Sequence, residues 1–272
     1  MDKTTELRAY AKLNLALDIT GTDGEGYHLL DMINCTVGVF DTLAVSRAAK
    51  VAVTMDGKPC GGENTAYRAA SAVERLSGAP LAVDIVKGIP FGAGLGGSSA
   101  DASAVLRYAA DAGLISLADA EEAARSIGSD VVYMMHGGMA RVRGRGELIE
   151  PLRQSELDIV IARRDTGGST AEDYRKYDEI GRQGAGIDGV LRGETARYNV
   201  LEAPAVALCP GIARLKERMA GAFGEAVMTG SGSAVCSIVA DADNARRTLE
   251  RGFCDANYRA VVKTVPRAIE YL

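Results

Sequence analysis

The sequence predicts a mixed protein of the α/β or α+β class, and three observations point there. A thirteen-residue stretch near the amino terminus alternates apolar residues with others, the period of a strand. A β-like run, Leu81–Val86, leads through a glycine-rich loop into a helical pattern in which Ala102, Val105, Leu106, Ala109 and Gly113 share one face. Beyond it, helix and strand patterns keep alternating to the carboxyl end. A chain of 272 residues makes one large or two modest domains; Pro151–Ser155 is the candidate boundary, giving domains of residues 1–150 and 151–272.

In chain order, the first strand carries Leu7, Ala9, Ala11, Leu13, Leu15, Leu17 and Ile19 on its apolar face. Arg8, Tyr10, Lys12, Asn14 and Asp18 occupy the other, so Lys12 and Asn14 project together. A lone lysine there reads first as a solvated surface charge. The turn Gly21–Gly26 leads to Tyr27-His28, expected as a partly exposed pair. Val37–Arg47 and Val51–Met55 read as strands, and Asn64 caps an amphipathic helix, Thr65–Leu76, that stops near Gly78. After the glycine loop and its helix comes Ala118–Ile127, then a short helix from Gly128-Ser129-Asp130 to Met135. Met139–Arg143 and Glu147–Ile149, joined by Gly144-Arg145-Gly146, have a hairpin signature. Leu157–Ala162 is a buried strand, followed by Gly167-Gly168-Ser169-Thr170 and a helix starting at Ala171–Tyr174. Residues 181–193 are glycine-rich and expected to form a mobile loop. Helices are expected from Asn199, over Ile212–Ala222 and over Ala242–Arg251, with strands at Ala234–Val239 and Tyr258–Val265. A second glycine/serine loop, Met228–Ser233, precedes the first of these strands.

The loop Pro90–Ala100 is the strongest local signal. Gly92, Gly94, Gly96 and Gly97 let the backbone approach a ligand, and the chain then enters a helix whose first N–H groups and dipole favour an anion. Ser98 and Ser99 add hydroxyls for phosphate oxygens or a hydrated Mg²⁺. A nucleotide-phosphate site is the first reading. Gly92, Gly94 and Gly97 also satisfy the dinucleotide fingerprint, but an Ala/Glu-rich helical stretch follows where that fold needs a second strand. A Walker A loop needs lysine where Ser98 stands. A flexible turn with a serine cap needs one serine, not four glycines beside two.

Composition narrows the class. The chain is 47% apolar and 25% charged, with a net charge of −5, which argues against a nucleic-acid binder relying on a basic surface. No apolar run approaches the roughly 18 residues of a membrane span, and Met1–Glu6 lacks a signal-peptide pattern. Cys35, Cys60, Cys209, Cys236 and Cys254 are odd in number and scattered, which reads as reduced packing residues in a cytoplasmic protein. His28 and His136 are the only histidines, and no zinc site is expected.

Six motifs in fixed order resemble the GHMP small-molecule kinases: Ala11–Leu15, Gly26–His28, Pro90–Gly97, Gly128–Val131, Gly137–Ala140 with Gly144–Glu147, and Gly230–Ser233. The version is most similar to the branch acting on 4-diphosphocytidyl-2-C-methyl-D-erythritol. The resemblance spans most of the chain. It departs where Ser98 replaces a loop glycine, where Ala100 follows Ser99, where Val132 stands in place of a proline, and where Asn34 replaces a frequent aromatic. It implies an amino-terminal ribosomal protein S5 domain 2-like domain, a carboxyl-terminal ferredoxin-like domain and a site between them. It also implies ATP-dependent phosphorylation of the 2-hydroxyl of the cytidyl alcohol, a step of non-mevalonate isoprenoid biosynthesis, by a monomer or homodimer that binds neither nucleic acid nor membrane. Pro90, Phe91, Gly92, Ala93, Gly94, Leu95, Gly96, Gly97, Ser98, Ser99 and Ala100 would hold the ATP phosphates, with Ser99 near Mg²⁺ and Asn64 at the adenine. Asp130 would be the base and Lys12 the cation beside it, with Asn14 orienting the hydroxyl. Tyr27, His28 and Tyr174 would hold the cytosine, and Thr170, Gly230 and Ser231 would close on the phosphates or the alcohol.

Overall fold

The computed structural model describes residues 4–164, 169–181 and 184–272. The chain opens with a long hairpin, β1 (Thr5–Thr22) against β2 (His28–Arg47), paired from Thr5↔Val45 to Thr22↔His28. Next come β3 (Ala52–Met55), β4 (Lys58–Cys60), α1 (Thr65–Ser77) and β5 (Leu81–Val86). Three helices follow, α2 (Gly97–Asp111), α3 (Leu117–Ile127) and α4 (Ser129–His136). The hairpin β6 (Ala140–Gly144) and β7 (Leu148–Pro151) closes this half. The second half holds β8 (Asp158–Arg163), α5 (Thr170–Ile180), α6 (Ile187–Leu191), α7 (Glu202–Leu208) and α8 (Gly211–Phe223). It ends with β9 (Val227–Met228), β10 (Val235–Val239), α9 (Ala242–Gly252), β11 (Tyr258–Val265) and β12 (Ile269–Tyr271).

The helix ends follow local chemistry. The Asn64 side chain accepts the Tyr67 N–H at 3.0 Å, and Gly78 ends α1 with φ 68°. Ser169 and Glu172 form a reciprocal capping box at the start of α5. Helices α1 and α2 meet through small residues: Ala66, Ala69 and Ala70 on one, Ala102, Ala104 and Ala109 on the other, all buried. Leu106 and Tyr133 complete the core between the helices and the sheet, and burying one such leucine contributes about 1.5–3 kcal/mol.

Four sequence expectations change. The polar face of β1 is not solvated: Lys12 is 3% exposed, Asn14 1% and Asp18 5%, because two loops lie over it. Strand β2 begins at His28, nine residues before its clearly patterned part, since pairing to β1 and β6 carries the strand where alternation is poor. Residues 187–191 of the expected mobile loop form α6, pinned by Arg141 to Asp188 at 2.7 Å and by the Gly186 N–H to Asp18 at 3.2 Å. The helix expected from Asn199 starts at Glu202, because the backbone around Asn199 bridges to β1: the Leu17 N–H donates to the Tyr198 carbonyl at 2.9 Å and the Val200 N–H to the Leu17 carbonyl at 3.0 Å. Gly167 and Gly168 lie outside the described residues.

The carboxyl-terminal strands return to the first half. Thr264 and Val265 pair with Val37 and Thr36 of β2, and β12 pairs with β1 from Leu7↔Tyr271 to Ala9↔Ile269. One sheet therefore runs β4-β3-β5-β2-β11-β8-β10-β9. Among the described residues no helix is long and apolar enough to cross a membrane.

Candidate active site

Strand β1 delivers the first functional group. Lys12 and Asn14 lie two residues apart on one face, and the Lys12 ammonium donates to Asn14 Oδ1 at 2.7 Å. Helix α4 delivers the second. Asp130 sits in its first turn, behind Gly128, with Oδ2 3.2 Å from Lys12 Nζ. The lysine side chain is 4% exposed and the aspartate 26%, so the cation is fixed in the wall and the carboxylate opens to the cleft.

The glycine loop lies against β1. The Lys12 N–H donates to the Leu95 carbonyl at 3.0 Å, and the Ala234 N–H donates to the Ala93 carbonyl at 3.2 Å. A Cβ at Gly96 would strike the Lys12 stem and Met134 Sδ, and one at Gly94 would strike the Thr229 carbonyl. Gly94 and Gly96 therefore permit the contact between loop, lysine and second loop. Helix α2 begins directly after Gly96, and the Ala100 N–H makes its first internal bond, to the Gly96 carbonyl at 2.8 Å. The N–H groups of Gly97, Ser98 and Ser99 precede that bond and form a helix N-terminus suited to an anion. Ala100, expected at the phosphates, is buried at 1% exposure with its N–H committed, so it is part of the helix wall.

The second loop is threaded through Asn14. The Gly230 N–H donates to Asn14 Oδ1 at 2.8 Å, the Asn14 N–H donates to Thr229 Oγ1 at 2.9 Å, and Asn14 Nδ2 donates to Asn34 Oδ1 at 2.7 Å. The Asn14 side chain is thus occupied in orienting Lys12 and the loop, leaving little capacity for an acceptor hydroxyl. Asn199 supports the loop from behind, donating to the carbonyls of Met228 at 2.8 Å and Gly230 at 2.7 Å. Thr170 and Ser231 hydroxyls meet at 3.1 Å across the cleft mouth.

These groups line one cleft of about 590 Å³. Lys12, Asn14, Asn64, Pro90 through Ser99, Asp130, Thr170, Tyr174, Gly230 and Ser231 all contribute to its wall. His28 and Tyr27 do not. The His28 ring stacks on Tyr174, centroids 4.9 Å apart at 26°, and its Nε2 meets Asp178 Oδ1 at 2.7 Å. Burial pushes the Tyr174 phenol well above its ordinary pKa, with smaller contributions from Asp130 and Asp173. Tyr27 is 58% exposed, and the Arg145 guanidinium sits 4.1 Å from its ring centroid, held by Asp23 at 2.5 Å and Glu25 at 2.7 Å.

Sequence reading missed a buried charge cluster at the other end of the cleft. Lys87, directly after β5, lies 2.9 Å from Asp101 Oδ2 and also contacts Asp41 Oδ2. Asp41 Oδ1 accepts the N–H groups of Gly88 at 2.7 Å and Ile89 at 2.8 Å. Burial opposes the charge on Lys87, yet Asp101 and Asp41 together hold its pKa above the usual value. Burial pushes Asp101 up to about 7, against the pull of Lys87 and with help from Asp41. A signal existed: Asp41 stands among Val37, Val39, Leu43 and Val45 on the inward period of its strand. Asn34 was marked only by its departure from the family pattern, and no comparable signal marked Asn199.

No group of three or more His, Cys, Asp or Glu residues able to hold a metal occurs among the described residues. An ion arriving with a nucleotide needs less, because Mg²⁺ keeps several waters and binds one or two protein oxygens beside the phosphates. The Ser99 hydroxyl at the helix N-terminus fits that requirement.

Comparison with known proteins agrees with this geometry. The family model for the GHMP kinases N terminal domain matches residues 64–140, and that for GHMP kinases C terminal matches residues 187–256. The chain is 37% identical over 262 residues to the 4-diphosphocytidyl-2-C-methyl-D-erythritol kinase of Desulfitobacterium hafniense, covering 89% of each chain. It is 37% identical over 275 residues to that of Moorella thermoacetica, covering 92% of this chain and 95% of the relative. A solved 4-(cytidine 5'-diphospho)-2C-methyl-D-erythritol kinase superposes with a TM-score of 0.79 at 31% identity, over 95% of this chain and 98% of that one. A mevalonate kinase structure, TM-score 0.68 at 13% identity, shares the fold. With two-domain architecture, glycine loop and paired Lys12 and Asp130 in place, the chain belongs to the GHMP kinase family, alongside relatives named 4-diphosphocytidyl-2-C-methyl-D-erythritol kinase.

Proposed function

We propose that this chain transfers the terminal phosphoryl group of ATP to the 2-hydroxyl of 4-diphosphocytidyl-2-C-methyl-D-erythritol. The observation that carries the reading is the 3.2 Å contact between Lys12 and Asp130, set in the same cleft as the helix N-terminus after Gly96. Phosphoryl transfer asks a protein chiefly to position its reactants and stabilise charge.

The triphosphate rests on the N–H groups of Gly97, Ser98 and Ser99, with residues 90–96 closing around it. Ser99 would hold a Mg²⁺ ion on the protein side, and that ion would supply neutralisation of the phosphate charge. Asp130 accepts the proton of the attacking hydroxyl. Lys12 pairs with that carboxylate and faces the charge on the transferred group. Asn14 aims Lys12 and fixes Gly230, and Thr170 and Ser231 close the mouth. Tyr174 offers the cytosine its ring, backed by His28 on the opposite face. Tyr27, outside the cleft wall with Arg145 over its ring, is left unassigned. Asn64 serves the adenine in addition to capping α1. The two functional domains are residues 1–150 and 151–272, the latter lending its last strands to the former's sheet.

ATP consumption measured against cytidyl-methylerythritol, mevalonate and homoserine tests the reading. Turnover is expected with the first alone. Preference for either of the others would overturn it.

A further inference from the structure

Asn34 has no part in the roles assigned above, yet it lies directly across from Asn14, the residue that aims Lys12. It sits on β2, paired with Asn14 of β1 on one side and Ala140 of β6 on the other, and it is fully buried. Among the described residues that line the cleft, Lys12, Asn14 and Met32 are present and Asn34 is not. Its polar side chain stands where the sequence pattern led us to expect an aromatic.

The polar groups around Asn14 have one consistent arrangement. The Lys12 ammonium and the Gly230 N–H are donors only, and both meet the same Asn14 atom, at 2.7 Å and 2.8 Å, so that atom is the carbonyl oxygen Oδ1. Asn14 Nδ2 is then turned to β2, where it donates to Asn34 Oδ1 at 2.7 Å and to Met32 Sδ, a weak acceptor, at 3.3 Å. Asn34 must therefore present its oxygen, and its own Nδ2 is left buried with no acceptor among the described residues. A buried donor without a partner destabilises a fold, and a leucine of similar size would carry no such atom. What the asparagine supplies is direction. Without its oxygen, Asn14 Nδ2 keeps only the sulfur contact, and its carboxamide can turn and slacken its hold on the ammonium. Register shifts in β1 between Tyr10 and Ala11 and between Asn14 and Ala16 bracket this segment, the kind of irregularity that re-aims side chains beside a site.

We propose that Asn34 is a positioning residue for phosphoryl transfer: its carbonyl oxygen locks the Asn14 carboxamide so that Asn14 Oδ1 holds both the Lys12 ammonium beside Asp130 and the Gly230 loop at the cleft wall. The inference rests on the kinase reading and extends it to a residue that touches neither reactant. Turnover then depends on Asn34 more than folding does.

Steady-state kinetics of the full chain with ATP, Mg²⁺ and the cytidyl alcohol test it, beside thermal unfolding. Asn34→Leu should lower kcat by roughly 10-fold, leave the KM for ATP in place and keep Tm within about 3 °C of the wild type. Asn34→Asp, which keeps an acceptor oxygen toward Asn14, should recover most of the lost kcat. In an Asn14→Leu background, adding Asn34→Leu should change kcat no further, because the residue it acts through is gone. An unchanged kcat in Asn34→Leu, an Asn34→Asp no better than Asn34→Leu, or single-variant effects that multiply in the double variant would each overturn the proposal. Should Asn34→Leu fail to fold, hydrogen exchange in the unmodified chain decides: protected Asn14 Nδ2 protons support it, and exchange at the rate of a free carboxamide overturns it. A wild-type chain without turnover removes the kinase reading, and the exchange measurement still judges the Asn14–Asn34 contact. Wild-type turnover that Asn34→Leu leaves intact removes this inference alone.

Discussion

Lys12 reaches Asp130 from a strand where it is almost wholly covered, and its ammonium finds Asn14 Oδ1 at 2.7 Å and Asp130 Oδ2 at 3.2 Å. A charge so placed has little freedom to reorganise, the condition under which fixed groups stabilise a developing charge best. Asp130→Asn and Lys12→Met should therefore fold normally while losing roughly 10²–10⁴ in turnover, read from steady-state kinetics beside a far-UV spectrum. Near-full activity in Asp130→Asn would remove its role as base. Tyr174 has one ring face taken by His28. If its other face stacks on cytosine, Tyr174→Ala should raise the KM for the cytidyl substrate by an amount worth roughly 1–3 kcal/mol and leave that for ATP in place. Tyr174→Phe should behave as wild type, because the ring rather than the phenol makes the contact. An unchanged substrate KM in Tyr174→Ala would return the residue to the core.

At the level of elements, the site is a meeting of two loops over one strand. Gly94 has φ 74° and no room for a Cβ against the Thr229 carbonyl. Gly94→Ala combines left-handed backbone strain of about 1–2 kcal/mol with displacement of the loop at residues 228–233. It should lower both the melting temperature and kcat; a variant with unchanged kcat would show that the two loops act independently. Asn199 makes the converse case. Its side chain satisfies the Met228 and Gly230 carbonyls, and Asn199→Ala leaves them bare at a cost of about 1–3 kcal/mol, measurable by denaturant unfolding. At the start of α1, Asn64→Ser keeps a cap while Asn64→Ala loses about 1 kcal/mol of stability. If Asn64 also serves the adenine, both variants should raise the KM for ATP, and only the alanine should unfold more easily.

Across the whole molecule, the Asp101 acid couples stability to pH. Its folded pKa, near 7, lies above the roughly 3.9 of an unfolded aspartate, so the folded chain holds more protons between those values. The contribution of this group to stability is fully present below about pH 4 and declines as pH rises toward 7. Urea unfolding midpoints across that window should fall less steeply with rising pH in Asp101→Asn; parallel curves would show that Asp101 titrates as an ordinary aspartate. Much of the architecture was legible in local pattern. The alternation in residues 7–19 marked β1, the caps at Asn64 and Gly78 bounded α1 to within a residue, and the run from Gly92 to Gly97 announced a strand, loop and helix, because period, cap and glycine chemistry act over a few residues. What pattern could not supply was cover and partnership. By pattern alone Lys12 looked solvated, until loops from residues 93–96 and 229–230 closed over it, and pattern could not show that the Lys12 ammonium and the Gly230 N–H meet on the Asn14 oxygen. The Lys87 cluster needed β2, the strap and α2 to converge from positions 41, 87 and 101, and the return of β12 to β1 joined residues 269–271 to residues 7–9. Burial and charge pairing depend on residues far apart in the chain, so folding alone decides which polar groups become a site.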